Sequence, residues 1–316
     1  MFSTTTFQDP IWMGYARLLA VVLIAAGLLI QGLRWRLGQR LDSVWITYRS
    51  WRLLLPPALV LIGAGRGFWI VAVFGVACLA LREFARATGL DRERGMMTAL
   101  YAQLIALMLV TWMPDPRLHQ PGWYGLFMAL PVYAIGCLLI LPILRGKSRG
   151  QLQIIALSIL AFIYFGWMFG HLAFLANSDH AVGYLLFLIV ALPANDIAAF
   201  TFGKIFGRHK LCPEISPNKT VEGALGGLAV SLALPFLMRF SFPHFGLTQL
   251  ILTGLIIGIG GQLGDLAISL IKRDLGVKDM GRAIPGHGGV LDRIDSLIFV
   301  SPLFFHMTRW FYGLSG

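Results

Sequence analysis

Repeated apolar runs of close to 20 residues constrain this chain more than any other feature. The hydrocarbon core of a bilayer is about 30 Å thick, and a helix needs about 20 apolar residues to cross it. Ten candidate spans lie at residues 13–33, 53–65, 67–81, 97–113, 123–144, 153–175, 183–203, 223–238, 247–271 and 295–312. The second and third are short and flank Arg66, so they form two spans, a tight hairpin or one re-entrant unit. The chain is therefore predicted to be an all-α, polytopic integral membrane protein with about 8–10 transmembrane helices.

The charge content supports this class and excludes others. Only 13% of the residues are charged, whereas soluble domains carry about 25%. The net charge of +11 would favour nucleic-acid binding in a soluble protein. Here the cations sit at the ends of apolar runs, so we expect the bilayer and no nucleic acid as a partner. Cys78, Cys137 and Cys212 show no CxxC spacing and predict buried thiols rather than a disulfide framework or a metal site.

The positions of the cations predict which loops face the cytoplasm. Positive residues concentrate in cytoplasmic loops. Alternate loops hold 21 of the 26 lysines and arginines: residues 34, 36, 40, 49 and 52; 82, 86, 92 and 94; 145, 147 and 149; 204, 208, 210 and 219; and 272, 273, 278, 282 and 293. This asymmetry supports ten spans with both termini outside. It places loops 204–222 and 272–294 together in the cytoplasm.

Two regions of the chain differ in their expected roles. Residues 1–182 are predicted to form N-terminal transmembrane helices, and residues 183–316 a C-terminal catalytic region that includes both of these loops. The first span is expected to be a retained helix rather than a signal peptide, because no basic n-region precedes it. The basic segment 34–52, with its interleaved aromatic and aliphatic residues, is either an amphipathic helix on the membrane surface or a solvated connector.

The block from Ser269 to Asp295 carries five cations, a histidine and five glycines between two apolar runs. Charge concentrated in this way within a membrane protein indicates function. Just upstream, Asp265 lies inside a span and shares a helix face with Ser269 and Lys272. A carboxylate there needs a partner, either a bound cation or a group on another helix.

Asp292 and Asp295 begin the final span at i, i+3 spacing. Alone they would favour helix capping. Together with Asp265, they favour a shared site for a hard cation such as Mg²⁺, which prefers oxygen ligands. The cations between these aspartates, with the glycines around His287, are typical of a polyphosphate site. His287 alone would more often be structural or solvent-facing.

A second group of polar residues lies upstream. Asn195 and Asp196 are inside the seventh span, where Asp196 is an acid that supports the metal ligands, a metal ligand itself or a helix-packing partner. Ser216 and Pro217 are predicted to be the N-cap and first position of the eighth helix. Lys219 would then lie in its first turn, where a bound anion would explain the cation. The alternative is an ordinary basic loop.

The pattern S-x-x-K-R-x-x-x-x-K-D-x-x-x-x-x-P-G-H-G-G-x-x-D-R-x-D, over residues 269–295, resembles the signature of the phosphatidate cytidylyltransferases, or CDP-diacylglycerol synthases. The upstream S-P-N-K-T-x-E-G-x-x-G-G is similar to a second motif of that family. The resemblance is strong over residues 190–296. In the N-terminal half it rests on hydropathy and on the R-E-F of residues 82–84.

The resemblance implies that CTP and phosphatidate react to give CDP-diacylglycerol and pyrophosphate, with Mg²⁺ and in some members K⁺ at the metal centre. It implies metal binding by Asp265, Asp292 and Asp295, and catalytic roles for Asp265, Asp292, Lys272 and Lys219. The substrate-binding residues would be Ser216, Lys219, Lys272, Arg273, Lys278, His287, Gly288 and Arg293, with Asp196, Asn195 and Ser269 as further candidates. We expect a bacterial inner membrane enzyme with its active site at the cytoplasmic side, and a homodimer as a further partner state.

Two departures from the family pattern leave alternatives open. Ile268 stands where the family often has glutamate, and Ile197 follows Asp196 where serine or threonine is frequent. An altered lipid substrate would fit these changes, so the second hypothesis is a CTP-dependent transferase acting on another lipid phosphate or a polyprenol. A different class is a transporter with Asp196 and Asp265 as intramembrane ion ligands. A catalytically degenerate scaffold is a third.

Overall fold

The computed structural model describes residues 6–37, 42–281 and 288–313, which form twelve α-helices and one β-hairpin. The helices are α1 (Pro10–Leu37), α2 (Asp42–Gly63), α3 (Arg66–Thr88), α4 (Arg94–Trp112), α5 (Tyr124–Leu144), α6 (Gln151–Ala161), α7 (Phe169–Phe174), α8 (Ala181–Phe206), α9 (Val221–Leu237), α10 (Leu247–Leu255), α11 (Gly261–Asp274) and α12 (Leu291–Tyr312). The strands are β1 (Lys210–Cys212) and β2 (Ser216–Thr220).

Two pairs of helices are continuous. A π-helical stretch, Phe162–Met168, joins α6 to α7, and another, Ile256–Gly260, joins α10 to α11. The twelve helices therefore make ten helical segments within the described ranges, one for each predicted span. The second and third predicted spans are separate helices, α2 and α3, joined by a turn in which Gly65 has a φ of 108°.

Seven of the segments are long and apolar enough to cross a membrane. Of the other three segments, two contain shorter apolar stretches, Trp51–Gly63 and Val221–Leu237. The third, α12, carries charged residues near both ends. On α1, apolar side chains such as Val21 and Leu28 are 65% and 71% exposed, as lipid contact requires. The predicted all-α polytopic membrane fold is confirmed.

Side-chain contacts group the connecting loops at two opposite ends. At one end, Arg66 donates hydrogen bonds to the carbonyl oxygens of Thr111 and Trp112, which end α4. At the same end, the Tyr312 hydroxyl donates to the carbonyl of His244. At the other end, Lys147 pairs with Glu93 at 3.2 Å, and these lie in the cation-rich loops.

The hairpin before α9 differs from the sequence prediction. Ser216 is not an N-cap, and Lys219 is not in a first helical turn, because Ser216–Thr220 pairs antiparallel with Lys210–Cys212. Helix α9 begins only at Val221, where the Thr220 hydroxyl accepts a hydrogen bond from the Gly223 amide at 3.1 Å. Backbone N–H and C=O groups that would have formed the first turn of a helix are instead hydrogen-bonded between the two strands.

Candidate active site

A polar cavity of about 550 Å³ opens between α8, the hairpin, α9, α11 and α12. Four carboxylates line it, those of Asp196, Asp265, Asp292 and Asp295. Lys219 also lines it. The structure therefore brings together four acidic side chains that are up to 99 residues apart in the sequence.

The acidic groups meet because α11 and α12 approach closely. A Cβ atom on Gly264 would lie 2.7 Å from the carbonyl oxygen of Asp295, so only glycine allows this approach. The Ser296 hydroxyl ties the helices together by donating to the Gly261 carbonyl at 2.9 Å. As a result, the carboxyl groups of Asp265 and Asp295 lie within hydrogen-bond reach of each other.

Asp265 also has the cationic partner that its place inside a span requires. Lys219 Nζ lies 2.6 Å from Asp265 Oδ2, and both side chains are about one-quarter to one-third exposed. The last residues of β2 extend alongside the start of α9, and this extended backbone carries Lys219 into the cavity. The lysine thus lies in a strand and faces a carboxylate, rather than lying in the first turn of α9 as predicted.

Asp292 forms a second, more buried ion pair. Lys272 Nζ lies 2.8 Å from Asp292 Oδ1, with side chains 14% and 9% exposed. The other carboxylate oxygen accepts hydrogen bonds from the amides of Met280 and Gly289, at 3.1 and 3.0 Å. Asp292 is therefore tied to the chain on both sides of residues 282–287. Asp292 therefore does not only cap the first turn of α12, because it also contacts Lys272 and Met280, which lie outside that helix.

Glu83 is a residue that sequence reasoning missed at this site. It lies on α3, and its two carboxylate oxygens accept hydrogen bonds from the amides of Val290 and Leu291, at 3.0 and 2.9 Å. A carboxylate at a helix N-terminus satisfies free N–H groups and complements the helix dipole. Glu83 thereby fixes the start of α12, which carries Asp292 and Asp295. Its sequence signal was its place in the R-E-F of residues 82–84, near the end of an apolar run, but that motif alone assigned it no role.

Other polar residues also line the cavity without having been selected from the sequence. Lys204 near the end of α8 and Asn218 in the hairpin both contribute to the wall. Gln262 does so as well, and its amide donates to the Ala224 carbonyl at 3.0 Å, which fixes α11 against α9. A lysine and two amides beside the carboxylates add donors for an anionic ligand.

Several predicted site residues lie elsewhere. Asn195 is fully buried and accepts a hydrogen bond from Ser231 at 3.1 Å, so it packs α8 against α9. Ser269 is buried and does not belong to the described cavity lining. Arg273 is exposed and donates to the Ile215 carbonyl of the hairpin turn, and Lys278 is exposed.

The glycine-rich segment is only partly described. His287 and Arg282 lie outside the described residues, so their predicted roles stay predictions. Gly288 is described, and its φ of 78° favours glycine. A Cβ there would lie 2.9 Å from Asp292 Oδ2. Gly288 therefore leaves room for this carboxylate, rather than lining the cavity itself.

A second cavity, of about 350 Å³, adjoins the first. We call it the apolar cavity, because α2, α3, α7 and α8 line it mainly with aliphatic and aromatic side chains. Asp196, Asp292 and Asp295 border both cavities. Arg293 lines the apolar one. The acidic residues thus stand between a polar space and an apolar space.

The carboxylate oxygens of this site suit a hard cation that is bound through one or two protein ligands. Within residues 6–37, 42–281 and 288–313, no three metal-ligand side chains converge on one point. The adjacent carboxylates of Asp265 and Asp295 nevertheless repel each other unless a cation or a proton lies between them. Mg²⁺ usually binds proteins through one or two carboxylates and completes its shell with water and substrate phosphates.

Comparison with known proteins assigns the chain to a family. The sequence model of the Cytidylyltransferase family matches residues 45–311. The chain is 40% identical over 232 residues to a phosphatidate cytidylyltransferase of Staphylococcus haemolyticus (strain JCSC1435), which covers 72% of this chain and 85% of the relative. It is 35% identical over 244 residues to the phosphatidate cytidylyltransferase of Staphylococcus aureus (strain COL), covering 75% and 89%.

A further relative matches almost end to end. The uncharacterized protein YnbB of Escherichia coli (strain K12) is 31% identical over 304 residues, covering 92% of this chain and 96% of the relative. The family match spans all four cavity aspartates and Glu83. The chain therefore belongs to the cytidylyltransferase family.

Proposed function

We propose that this protein transfers the cytidylyl group of CTP to phosphatidate, giving CDP-diacylglycerol and pyrophosphate. The observation that carries this proposal is one cavity that is lined by four carboxylates and two lysines and adjoins an apolar cavity. A nucleotide triphosphate needs the first kind of space, and a lipid needs the second. The names of the staphylococcal relatives support the choice of substrates.

The two ion pairs suggest how the chain binds anions. Lys219 and Lys272 are held by Asp265 and Asp292. When a polyphosphate enters, each lysine can turn from its carboxylate towards a phosphate oxygen. Lysine donors of this kind offset the repulsion between two anionic substrates, which is the main obstacle to bringing them together.

Asp265, Asp292 and Asp295 are the residues that we propose to hold Mg²⁺. When bound, the ion supplies positive charge at the phosphates and helps to stabilise the leaving pyrophosphate. A lysine that turns towards a phosphate also releases its aspartate for the cation. K⁺ beside Mg²⁺ remains a prediction from the family resemblance.

The bond changes require little proton transfer. An oxygen of the phosphatidate phosphate forms a bond to the α-phosphorus of CTP. The bond from this phosphorus to the oxygen that bridges the β-phosphate breaks, and pyrophosphate leaves with the electron pair. Because the attacking phosphate is already anionic near neutral pH, the protein needs positioning and charge stabilisation more than a strong base.

We also propose that the polar cavity faces the cytoplasm of a bacterial inner membrane. The cavity lies at the end of the molecule where the cation-rich loops meet, and such loops are retained on the cytoplasmic side. CTP would then reach the cavity from the cytoplasm, while lipid would arrive from the bilayer. A homodimer is a further prediction.

The family assignment favours a transferase over the transporter hypothesis. The test is to incubate the detergent-purified protein with radiolabelled CTP and a panel of acceptors, with and without Mg²⁺. The panel contains phosphatidate, another lipid phosphate and a polyprenyl phosphate. We expect a CDP-lipid from phosphatidate that depends on Mg²⁺. Product from another acceptor alone would replace phosphatidate as substrate, and flux into proteoliposomes without CTP consumption would favour transport.

A further inference from the structure

We propose that the Tyr164 hydroxyl donates a hydrogen bond to the carboxylate pair of Asp265 and Asp295, directly or through one water, and so positions this pair for a cation. Tyr164 lies in the π-helical stretch Phe162–Met168 and outside the described lining of the polar and apolar cavities. This role deepens the proposed function and rests on it for the reaction and for the identity of the cation, Mg²⁺.

The Tyr164 hydroxyl is buried and unpaired in the part of the chain that the structure describes. The side chain is 8% exposed, and its oxygen has no hydrogen-bond partner there. By contrast, the hydroxyl of fully buried Tyr15 pairs with Ser241 at 2.7 Å. That of Tyr184 pairs with His244, also at 2.7 Å. Because an unpaired buried hydroxyl is costly, a ring that only filled space would be better provided by phenylalanine.

The acidic pair supplies an acceptor for this hydroxyl. Among the described residues, the ionisable groups that act on it electrostatically are the carboxylates of Asp295 and Asp265. Lys219 already pairs with Asp265 at 2.6 Å, whereas Asp295 forms no ion pair within those residues. A hydroxyl beside carboxylates turns its hydrogen towards them, since hydrogen bonds to ionised acceptors are the strong ones. Asp295 therefore gains most from the Tyr164 donor.

The backbone that carries Tyr164 is irregular where it meets the acidic helices. π-Helical turns are rare inside α-helices and are frequent at functional sites. Both stretches of this kind, Phe162–Met168 and Ile256–Gly260, pack against α12, which carries Asp295. The second leads directly into α11, which carries Asp265. Both helices of the acidic pair are thus in contact with a π-helical turn.

Aromatic packing holds the Tyr164 ring in place. The centroid of the buried Phe165 ring lies 5.5 Å from that of Tyr164, edge to face, and 5.0 Å from that of Phe84 on α3. Phe84 follows Glu83, whose carboxylate fixes the start of α12. A ring fixed in this way can orient a metal-binding carboxylate, as hydrogen-bonding partners outside the set of ligands do in metal sites.

The test removes the hydroxyl and measures metal binding without turnover. Mn²⁺ is the probe, because it prefers the same oxygen ligands as Mg²⁺, and its binding to Tyr164→Phe is followed by electron paramagnetic resonance. We expect the Kd for Mn²⁺ to rise by about tenfold or more, since partners of metal ligands typically contribute about 10–100-fold to metal affinity. The Mg²⁺ concentration for half-maximal CDP-lipid formation should rise in parallel.

The matched control is Tyr184→Phe. It also removes a hydroxyl from a buried tyrosine, but at the opposite end of the molecule, where that hydroxyl pairs with His244. We expect a lower melting temperature from the lost hydrogen bond and an unchanged Kd for Mn²⁺. A structural role of Tyr164 would give this same pattern in Tyr164→Phe.

The outcomes separate this role from the proposed function. Wild-type Mn²⁺ affinity in Tyr164→Phe, an equal loss of affinity in Tyr184→Phe, or a wild-type protein that binds no Mn²⁺ would overturn the inference. Weakened Mn²⁺ binding in Tyr164→Phe, together with a wild-type protein that forms no CDP-lipid, would contradict the proposed function alone.

Discussion

The start of α12 depends on a carboxylate from a distant helix, and its removal should impair catalysis in a graded way. Glu83 accepts two amide hydrogen bonds from residues 207 and 208 positions further along the chain. A hydrogen bond to a charged group contributes about 1.5–3 kcal/mol. Because Glu83 is half-buried, the lower end of this range applies to each of its two hydrogen bonds. Glu83→Ala should therefore destabilise the start of α12 by about 3 kcal/mol. Glu83→Gln keeps one acceptor oxygen and should cost about half of that.

These energies convert into rates if the first turn of α12 must be in place for catalysis. At about 1.4 kcal/mol per factor of ten, kcat/KM should fall about tenfold in Glu83→Gln and about a hundredfold in Glu83→Ala. The Mg²⁺ concentration for half-maximal activity should rise as well, because this turn carries Asp292 and Asp295. A loss of folding alone would lower the amount of active protein without changing that concentration.

The assay is CDP-lipid formation over a Mg²⁺ titration, with the melting temperature measured in parallel. The matched control is Glu93→Gln, which removes a carboxylate at the same end of the molecule from an exposed pair with Lys147. Exposed pairs contribute about 0–1 kcal/mol, so this variant should behave like wild type. Wild-type turnover and Mg²⁺ demand in Glu83→Ala would refute the positioning role, as would an equal loss in Glu93→Gln.

Three further changes test the structure, two of them beside the site and one, at His244, at the opposite end of the molecule. Gly264→Val should separate α11 from α12 and destabilise the protein by about 1–3 kcal/mol, whereas Gly75→Val, which meets nothing within 4 Å, should not; equal melting temperatures would contradict this. Thr220→Ala should lower stability by about 1 kcal/mol through loss of the α9 cap, and Thr220→Ser should restore it. Burial and nearby His180 lower the pKa of His244 to about 4. The unfolded chain therefore binds this proton more readily, and thermal stability should fall as the pH drops from about 6.5 to about 4. His244→Phe should flatten that dependence.

The helical segments were predictable because the bilayer fixes their length. Hydropathy located all ten, and the alternation of cations agreed with the two groups of loops that the structure joins. The residues at which the helices begin and end were harder to predict from the sequence. The predicted second span began at residue 53, whereas α2 begins at Asp42, because a helix can continue beyond its apolar part into polar surroundings.

The hairpin and the Glu83 contact depend on partners distant from the local pattern. Ser216 and Pro217 satisfied the local rules for a helix start, but pairing with Lys210–Cys212 decided the structure. Glu83 contacts residues more than 200 positions away, which no spacing rule can indicate. Ile268, where the family often has glutamate, is fully buried among apolar side chains, so the departure suits its surroundings.

Neighbouring polar residues also took different roles. Asn195 points to Ser231 on α9, whereas Asp196 lines both cavities, because adjacent residues on a helix face directions about 100° apart. The sequence alone could not decide which of the two faced the cavity. Asp196 and Asp265 were found because charge inside apolar helices is rare, and Asp292 and Asp295 because of their i, i+3 spacing. The ion pairs of Asp265 and Asp292 with particular lysines required the structure.

The most direct measurement is Mg²⁺-dependent CDP-lipid formation by the single variants Asp265→Asn, Asp292→Asn and Asp295→Asn beside the wild-type protein. Each change keeps the size of the side chain and removes the charge that we propose to hold the cation. We expect the wild-type protein to convert CTP and phosphatidate only with Mg²⁺, and each variant to lose this turnover at near-normal expression. Wild-type rates in all three variants would contradict the proposal that this cavity holds the metal and performs the reaction.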